Sequence, residues 1–399
     1  MKQKVFITAL IAVLVVMLGS VVMADETFDW SPRLGNATPN SIEVVYKTPT
    51  EVDTYINYAL KSDYDQNEEW KKTDVVTGDL FRIKLDDLKA DTEYAYQVVI
   101  GDKLVTKVYT FHTAPTEEKE FTFLAYGDTR THQKKHKLLA DEMAKDETDP
   151  RLVLNVGDLV TNGKETDEWL TFSQAIKELG ATTPYYSAIG NHEHNARKYY
   201  NNLALPEGGG QAGSEWYSFD YAGVHFIALD SNIMAGKINN YVQNAVEKQD
   251  KWLKSDLEAN KDAKWIVVFF HHPVYTSHPD SIYPQFEEIW VPLFDKYGVD
   301  LVLTGHNHIY ERVLKDGRNY IVTGGGGAPF DYKYEYEPFI ENSVSIHAAL
   351  LQYTRVKVTE DKLYVDVIQT HKEADDFYSL NEDKKIIDSC EIENISPSE

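Results

Sequence analysis

The sequence predicts an α/β domain of alternating strands and helices, preceded by a small all-β sandwich. Two observations carry this. Up to about residue 113, short runs rich in β-branched and aromatic residues follow one another closely between turn signals. From residue 121 onward, compact apolar runs alternate with stretches of helical spacing.

In the first part, residues 42–46, 54–58, 81–85, 93–100 and 105–111 read as strands, by alternation or by β-branched and aromatic content. Thr77-Gly78-Asp79 and Gly101-Asp102 are turn signals between them. Residues 85–96 resemble the corner before the penultimate strand of a fibronectin type III domain, and 110–115 resemble that domain's exit. The sandwich is expected over residues 28–115. It carries no cluster of metal-binding or acid/base residues, so it reads as a structural or docking module. Charged residues 116–120 form a short linker.

The second domain is expected over residues 119–371. Residues 121–126, 152–156, 185–189, 224–229, 265–270 and 301–304 are apolar runs suited to buried strands. Residues 134–145, 165–179, 241–260 and 286–297 have helical spacing, which makes this an α/β domain of alternating units. Residues 320–322, 349–356 and 363–368 add late strands, and the polar, acidic residues 372–399 read as a loose tail.

At the start of the chain, Lys2 and Lys4 precede an apolar run over residues 5–17, and Val22-Met23-Ala24 offers small residues for cleavage. That is the order of a secretory signal over residues 1–24. The alternative is an uncleaved N-terminal anchor, because the apolar stretch approaches spanning length. Either reading puts the remainder outside the cytoplasm, secreted or held at the cell surface. The single cysteine, Cys390, excludes an intramolecular disulfide and a cysteine-built zinc site. With 64 acidic against 40 basic residues the net charge is −24. Such a surface repels phosphate backbones, so duplex nucleic acid is not an expected partner, whereas divalent cations are favoured. No membrane contact is expected beyond the possible anchor.

The chemistry lies where the buried strands end. Residues 121–126 run into Gly127-Asp128, 152–156 into Gly157-Asp158, and 185–189 into Gly190-Asn191-His192-Glu193. Residues 265–270 run into His271-His272-Pro273, and 301–304 into Gly305-His306-Asn307-His308. The carboxyl ends of strands line the ligand crevice of open α/β sheets. Carboxylate, amide oxygen and imidazole together suit Mn, Fe or Zn. Each piece alone is ordinary, since a Gly-Asp pair usually makes a turn. Five in register at successive strand ends are not.

This ordered set resembles the signature of calcineurin-like metallophosphoesterases. Residues 305–312, Gly-His-Asn-His-Ile-Tyr-Glu-Arg, and 320–327, Tyr-Ile-Val-Thr-Gly-Gly-Gly-Gly, are similar to the purple acid phosphatase branch. So is the fibronectin-like domain in front. The resemblance covers about residues 28–370. It implies a sandwich of mixed β-sheets flanked by helices, and a dinuclear centre of Fe, Mn or Zn. Asp158 would bridge the ions, Asn191, His271 and His306 would complete one site, and Asp128 and His308 would belong to the other. Ions roughly 3.5–4 Å apart clamp the attacking and leaving oxygens and provide hydroxide near neutral pH. His192 would then stabilise the phosphoryl oxygens or protonate the leaving alcohol. Arg130 and His278 are candidate phosphate contacts, against a surface salt bridge and an ordinary loop histidine as their plainer readings.

The match departs at two positions. The tyrosine that binds iron(III) in purple acid phosphatases, three residues after the bridging Asp, is Thr161 here. The histidine that other superfamily members place two residues after the first Asp is Arg130. The Asp128–His308 site is therefore a ligand short, with water, His132 or His136 to fill it, or else it holds its metal weakly. His272 is the weaker ligand candidate of its pair, and His194 is ambiguous. Gly208-Gly209-Gly210 reads as a flexible loop beside the site, and residues 324–327 as a tight turn. The implied reaction is hydrolysis of small phosphate monoesters. The alternatives are a phosphodiesterase or nucleotide hydrolase on the same ions, and a catalytically weak metal-binding surface module.

Overall fold

The computed structural model describes residues 27–67, 69–101, 103–236, 240–331, 340–373 and 380–395. The signal or anchor expected over residues 1–24 lies outside them. Among the described residues, no helix is long and apolar enough to cross a membrane.

The N-terminal part is all β apart from one short helix. Residues expected to form two strands, 42–46 and 54–58, form a single one, Ile42–Leu60, with a register shift between Lys47 and Val52. Its first half pairs antiparallel with Trp30–Gly35 and Val76–Leu85. Its second half pairs with Glu93–Ile100, which in turn pairs with Tyr109–His112. Ile42, Val44, Tyr46, Phe81, Tyr96 and Phe111 fill the core of this domain. Alternate residues point to one face of a strand, so the spacing of these side chains follows from period two. The domain docks through buried polar contacts. Ser173 Oγ accepts both the Ser31 amide and Arg33 Nη2 at 2.7 Å, and Tyr96 donates its hydroxyl to the Ala181 carbonyl at 2.8 Å.

The second part is built on two mixed sheets. The first runs Tyr185–Ser187, Leu152–Asn155, Phe121–Tyr126, Leu350–Val358, Lys362–Glu373 and Leu380–Glu393 in spatial order. Its first three strands are mutually parallel and the rest pair antiparallel. The second sheet contains the parallel strands Val224–Ala228, Trp265–Phe269, Leu301–Thr304 and Arg318–Thr323, flanked on both sides by antiparallel partners.

The strand Trp265–Phe269 shows why such runs are continuously apolar. Trp265, Val267 and Phe269 enter the core shared by the two sheets, next to Phe123, Phe226 and Leu303. Ile266, Val268 and, just beyond, Phe270 face the other way, against Leu253, Leu257, Phe286, Trp290 and Phe294 on covering helices. Both faces are buried, so both parities must be apolar. On the far side, the helix Gln133–Met143 buries His136, Leu139, Ala140 and Met143, a single helical stripe.

Some expected elements are divided. Helix 165–179 is two helices, Thr166–Ala175 and Lys177–Thr182, broken at Ile176. Helix 286–297 becomes Pro284–Ile289 and Val291–Tyr297, each with a proline in its first two positions. Proline lacks the N–H that a preceding helix would need, so it restarts a helix rather than continuing one. Gly208–Gly209, expected as a flexible loop, pairs with Trp216 and Tyr217.

The largest correction concerns the C-terminal residues. The expected loose tail over 372–399 instead supplies Leu380–Glu393, an edge strand in register with Lys362–Glu373. Ile392 is only 3% exposed, and Asp388 receives Arg312 Nε at 2.7 Å. Of the described acids there, Glu382, Glu391 and Glu393 are exposed. Ile392→Ala should therefore cost about 2–5 kcal/mol of unfolding free energy in a denaturant titration. A cost near zero would return this segment to a tail.

Candidate metal centre

The site forms where the parallel strands of both sheets end. The loops after Phe121–Tyr126 and Leu152–Asn155 are stitched together: the Asp128 amide donates to the Gly157 carbonyl at 3.0 Å, and the Thr129 amide to the Asp158 carbonyl at 2.9 Å. The His306 amide, from the other sheet, donates to Asp128 Oδ2 at 2.9 Å. Asp128, Asp158 and His306 have φ of 57°, 57° and 69°, in the left-handed region. Each follows a glycine. A Cβ on Gly190 would meet Asp158 Oδ1 at 2.3 Å, and one on Gly305 would meet Asp128 Oδ2 at 2.4 Å. Glycine is what lets the backbone approach these carboxylates.

One half of the centre has four converging donors. His271 Nε2 lies 3.0 Å from Asn191 Oδ1 and 3.3 Å from Asp158 Oδ1, and His306 Nδ1 lies 3.2 Å from Asn191 Oδ1. The ring orientations suit ligation. His271 gives its Nδ1 hydrogen to the Val156 carbonyl at 2.9 Å, which turns Nε2 inward as the nitrogen an ion would take in exchange for its proton. His306 turns Nδ1 inward while Nε2 meets the Tyr283 hydroxyl at 3.2 Å. Burial, then the neighbouring His271, lowers the His306 pKa to about 3, so that ring is neutral as a ligand must be.

The other half is made by Asp128, Asp158 and His308. Asp128 Oδ1 is buried without a hydrogen-bond partner and lies 3.7 Å from His308 Nε2. Burial raises the Asp128 pKa well above the usual carboxylate range. A buried carboxylate oxygen with nothing to accept is the acceptor a cation satisfies. Donor atoms of Asp128, Asp158 and His271 all lie within 4.8 Å of one another. Both halves thus fit metal ions of the kind the donor set implies. Into the second half reaches Arg130, with Nε 3.3 Å from Asp158 Oδ2 and Nη2 3.3 Å from His308 Nε2.

The two candidates to fill the missing ligand position do not. His136 is fully buried, hydrogen-bonded to Tyr126 and Gln133 and stacked on Phe172. His132 is exposed at the start of the helix Gln133–Met143. The Thr161 hydroxyl pairs with that of Thr131 at 3.3 Å. His194 is exposed, and His272 is held by Ser231 Oγ at 2.9 Å, although its ring packs on His306.

Beside the donors is a cavity of about 200 Å³, lined by Arg130, Asn191, His192, His278, His308 and Asp331 among others. His192 gives its Nδ1 hydrogen to the Thr161 carbonyl at 2.7 Å, which leaves Nε2 as the free ring nitrogen, 3.9 Å from Asp158 Oδ2. Three contributors were not singled out from sequence. Glu193 accepts the amides of Asp158, Leu159, Val160 and Gly190 at 2.7–3.4 Å and so fixes the loop that carries Asp158. Its position inside the Gly-Asn-His-Glu motif was the available signal. Tyr283 and Asp331, which accepts the His308 amide at 2.8 Å, lie in loops without any motif.

Residues 121–310 match the family model of the calcineurin-like phosphoesterases, and the chain carries a calcineurin-like metallophosphoesterase domain. Its relatives include phosphatases, purple acid phosphatases among them. The phosphoenolpyruvate phosphatase of Allium cepa is 29% identical over 327 residues, 74% of this chain and 62% of that one. Acid phosphatase type 7 of Homo sapiens is 31% identical over 198 residues, 45% of this chain and 44% of that one. The matched stretch thus spans less than two thirds of these relatives. A purple acid phosphatase from yellow lupin (Lupinus luteus) seeds shares the fold with a TM-score of 0.70, at 18% identity over 90% of this chain and 73% of that one.

The charge balance predicts how ions bind. Burial alone would lower the His271 pKa, but Asp158 and then Asp128 outweigh it and hold the imidazole at about 9. An ion taking the Nε2 lone pair must displace that proton. Apparent affinity for a divalent ion should therefore rise with pH, roughly tenfold per unit, and level off above about 9. Isothermal titration across this range checks it, and a flat profile would remove His271 from the ligands.

Proposed function

We propose that this chain is a metal-dependent phosphomonoesterase acting on small phosphate esters. The observation that carries the reading is the convergence of Asp158, Asn191, His271 and His306 donor atoms beside a cavity of about 200 Å³. Such a space suits a phosphoryl group on a short alcohol better than a polymer. Bound Fe, Mn or Zn ions supply polarisation of the phosphoryl oxygens and a water acidified to a pKa of about 7. The residues supply the rest. Asn191 and the histidines fix the geometry, and His192 Nε2 meets the phosphoryl oxygens or protonates the leaving alcohol. Arg130 and His278, on the cavity wall, contact the phosphate. The phosphatase names of the relatives support the same chemistry.

Residues 28–115 serve in this proposal as a fibronectin type III-like docking module, and residues 1–24 as an export signal that puts the enzyme outside the cytoplasm. Protein stripped with a chelator should regain hydrolysis of a chromogenic phosphate monoester when given Mn, Fe or Zn, and the Asp158→Ala variant should not. Equal, negligible rates in both, with every ion and with a diester as well, would end the proposal. A diester turned over faster than the monoester would reassign the substrate class. His192→Gln should lower kcat roughly 10²–10⁴-fold with ion content unchanged. Because Thr161 replaces the phenolate ligand, the iron-loaded protein should show no visible charge-transfer band.

A further inference from the structure

Given a metal-dependent site, we infer that the Arg130 guanidinium is an internal cation of the Asp128–Asp158–His308 half, which therefore takes an ion only by displacing it. The argument begins with lone pairs. His308 commits its Nδ1 hydrogen to the Pro329 carbonyl, so Nε2 holds the only in-plane lone pair of the ring. Arg130 Nη2 lies 3.3 Å from that nitrogen and, as a guanidinium, can only donate to it. An ion needs the same lone pair at about 2.0–2.1 Å. One lone pair cannot serve both. Asp158 Oδ2 is contested in the same way by Arg130 Nε at 3.3 Å.

The guanidinium is held rather than passing by. The Arg130 amide donates to the Asp158 carbonyl at 3.1 Å, its Nη1 donates to Thr131 Oγ1 at 3.2 Å, and its side chain is 17% exposed. Its single positive charge stands among buried carboxylates, where a cation is required. By contrast, the donors of Asn191, His271 and His306 face one another. The two halves are thus unequal. The half with Asn191 binds its ion tightly, and the half with Arg130 binds weakly and second. Once displaced, the guanidinium stays on the cavity wall, where a phosphate oxygen can receive it.

Stripped wild type, Arg130→Ala and Arg130→His are titrated with Mn(II), and bound ions are counted by elemental analysis after desalting. Electron paramagnetic resonance detects spin-coupled pairs. Wild type is expected to keep one ion per chain and to show coupled pairs only at high Mn(II). Both variants should keep two, with second-ion affinity raised at least about tenfold, the lower end of what partners of metal ligands contribute. Two equally tight ions in wild type, or an unchanged second affinity in Arg130→Ala, overturn the inference. No tight ion in any of the three would overturn the metal centre and with it the proposed function. One tight ion in wild type and two in the variants, without ester hydrolysis, would support the role of Arg130 while ending the proposed activity.

Discussion

Two carboxylates buried side by side set the terms for the rest of this molecule. Asp128 and Asp158 are 0% and 1% exposed, and their oxygens come within 4.8 Å. Burial, and the repulsion of Asp158 across that gap, raise the Asp128 pKa well above the usual carboxylate range. The surrounding atoms answer that repulsion. His271 is held protonated beside them, Arg130 reaches Asp158, and amides of His306 and His192 donate into the carboxylates. A fold with this pair at its centre is a fold that wants cations there.

The two sheets meet at the same place for the same reason. Each strand that ends at the site delivers one or two polar groups, and the loops that follow bond to each other. Three of these residues adopt left-handed backbone, at a cost of roughly 1–3 kcal/mol each. The burial of both strand faces along Trp265–Phe269 and its neighbours offsets that strain. The N-terminal domain adds support from the side, since its contacts fall on Ser173 and Ala181, in the two helices that follow the Asp158 loop.

The candidate centre was legible in the chain because its grammar is local. An apolar run buried on both faces, a glycine, and then Asp, Asn or His can be read without tertiary knowledge. What escaped depends on distant partners. His136 and His132 look alike in sequence, yet Tyr126 and Phe172 bury one while the other faces water. Tyr283 and Asp331 reach the ligands only because their loops fold back over the strand ends. The strand Leu380–Glu393 hid behind its acids, because two register shifts break the alternation that would have revealed it.

That last strand closes the described edge of its sheet. An open edge offers a row of unpaired amides and carbonyls on which another chain can template. Here Glu382, Glu391 and Glu393 are exposed along it, in a chain of net charge −24. Lys384 and Lys385 are exposed there too, and a row of charged side chains along an edge is costly to bury against a second strand. The charges that looked like a formless end thus make this edge a poor template for a second strand.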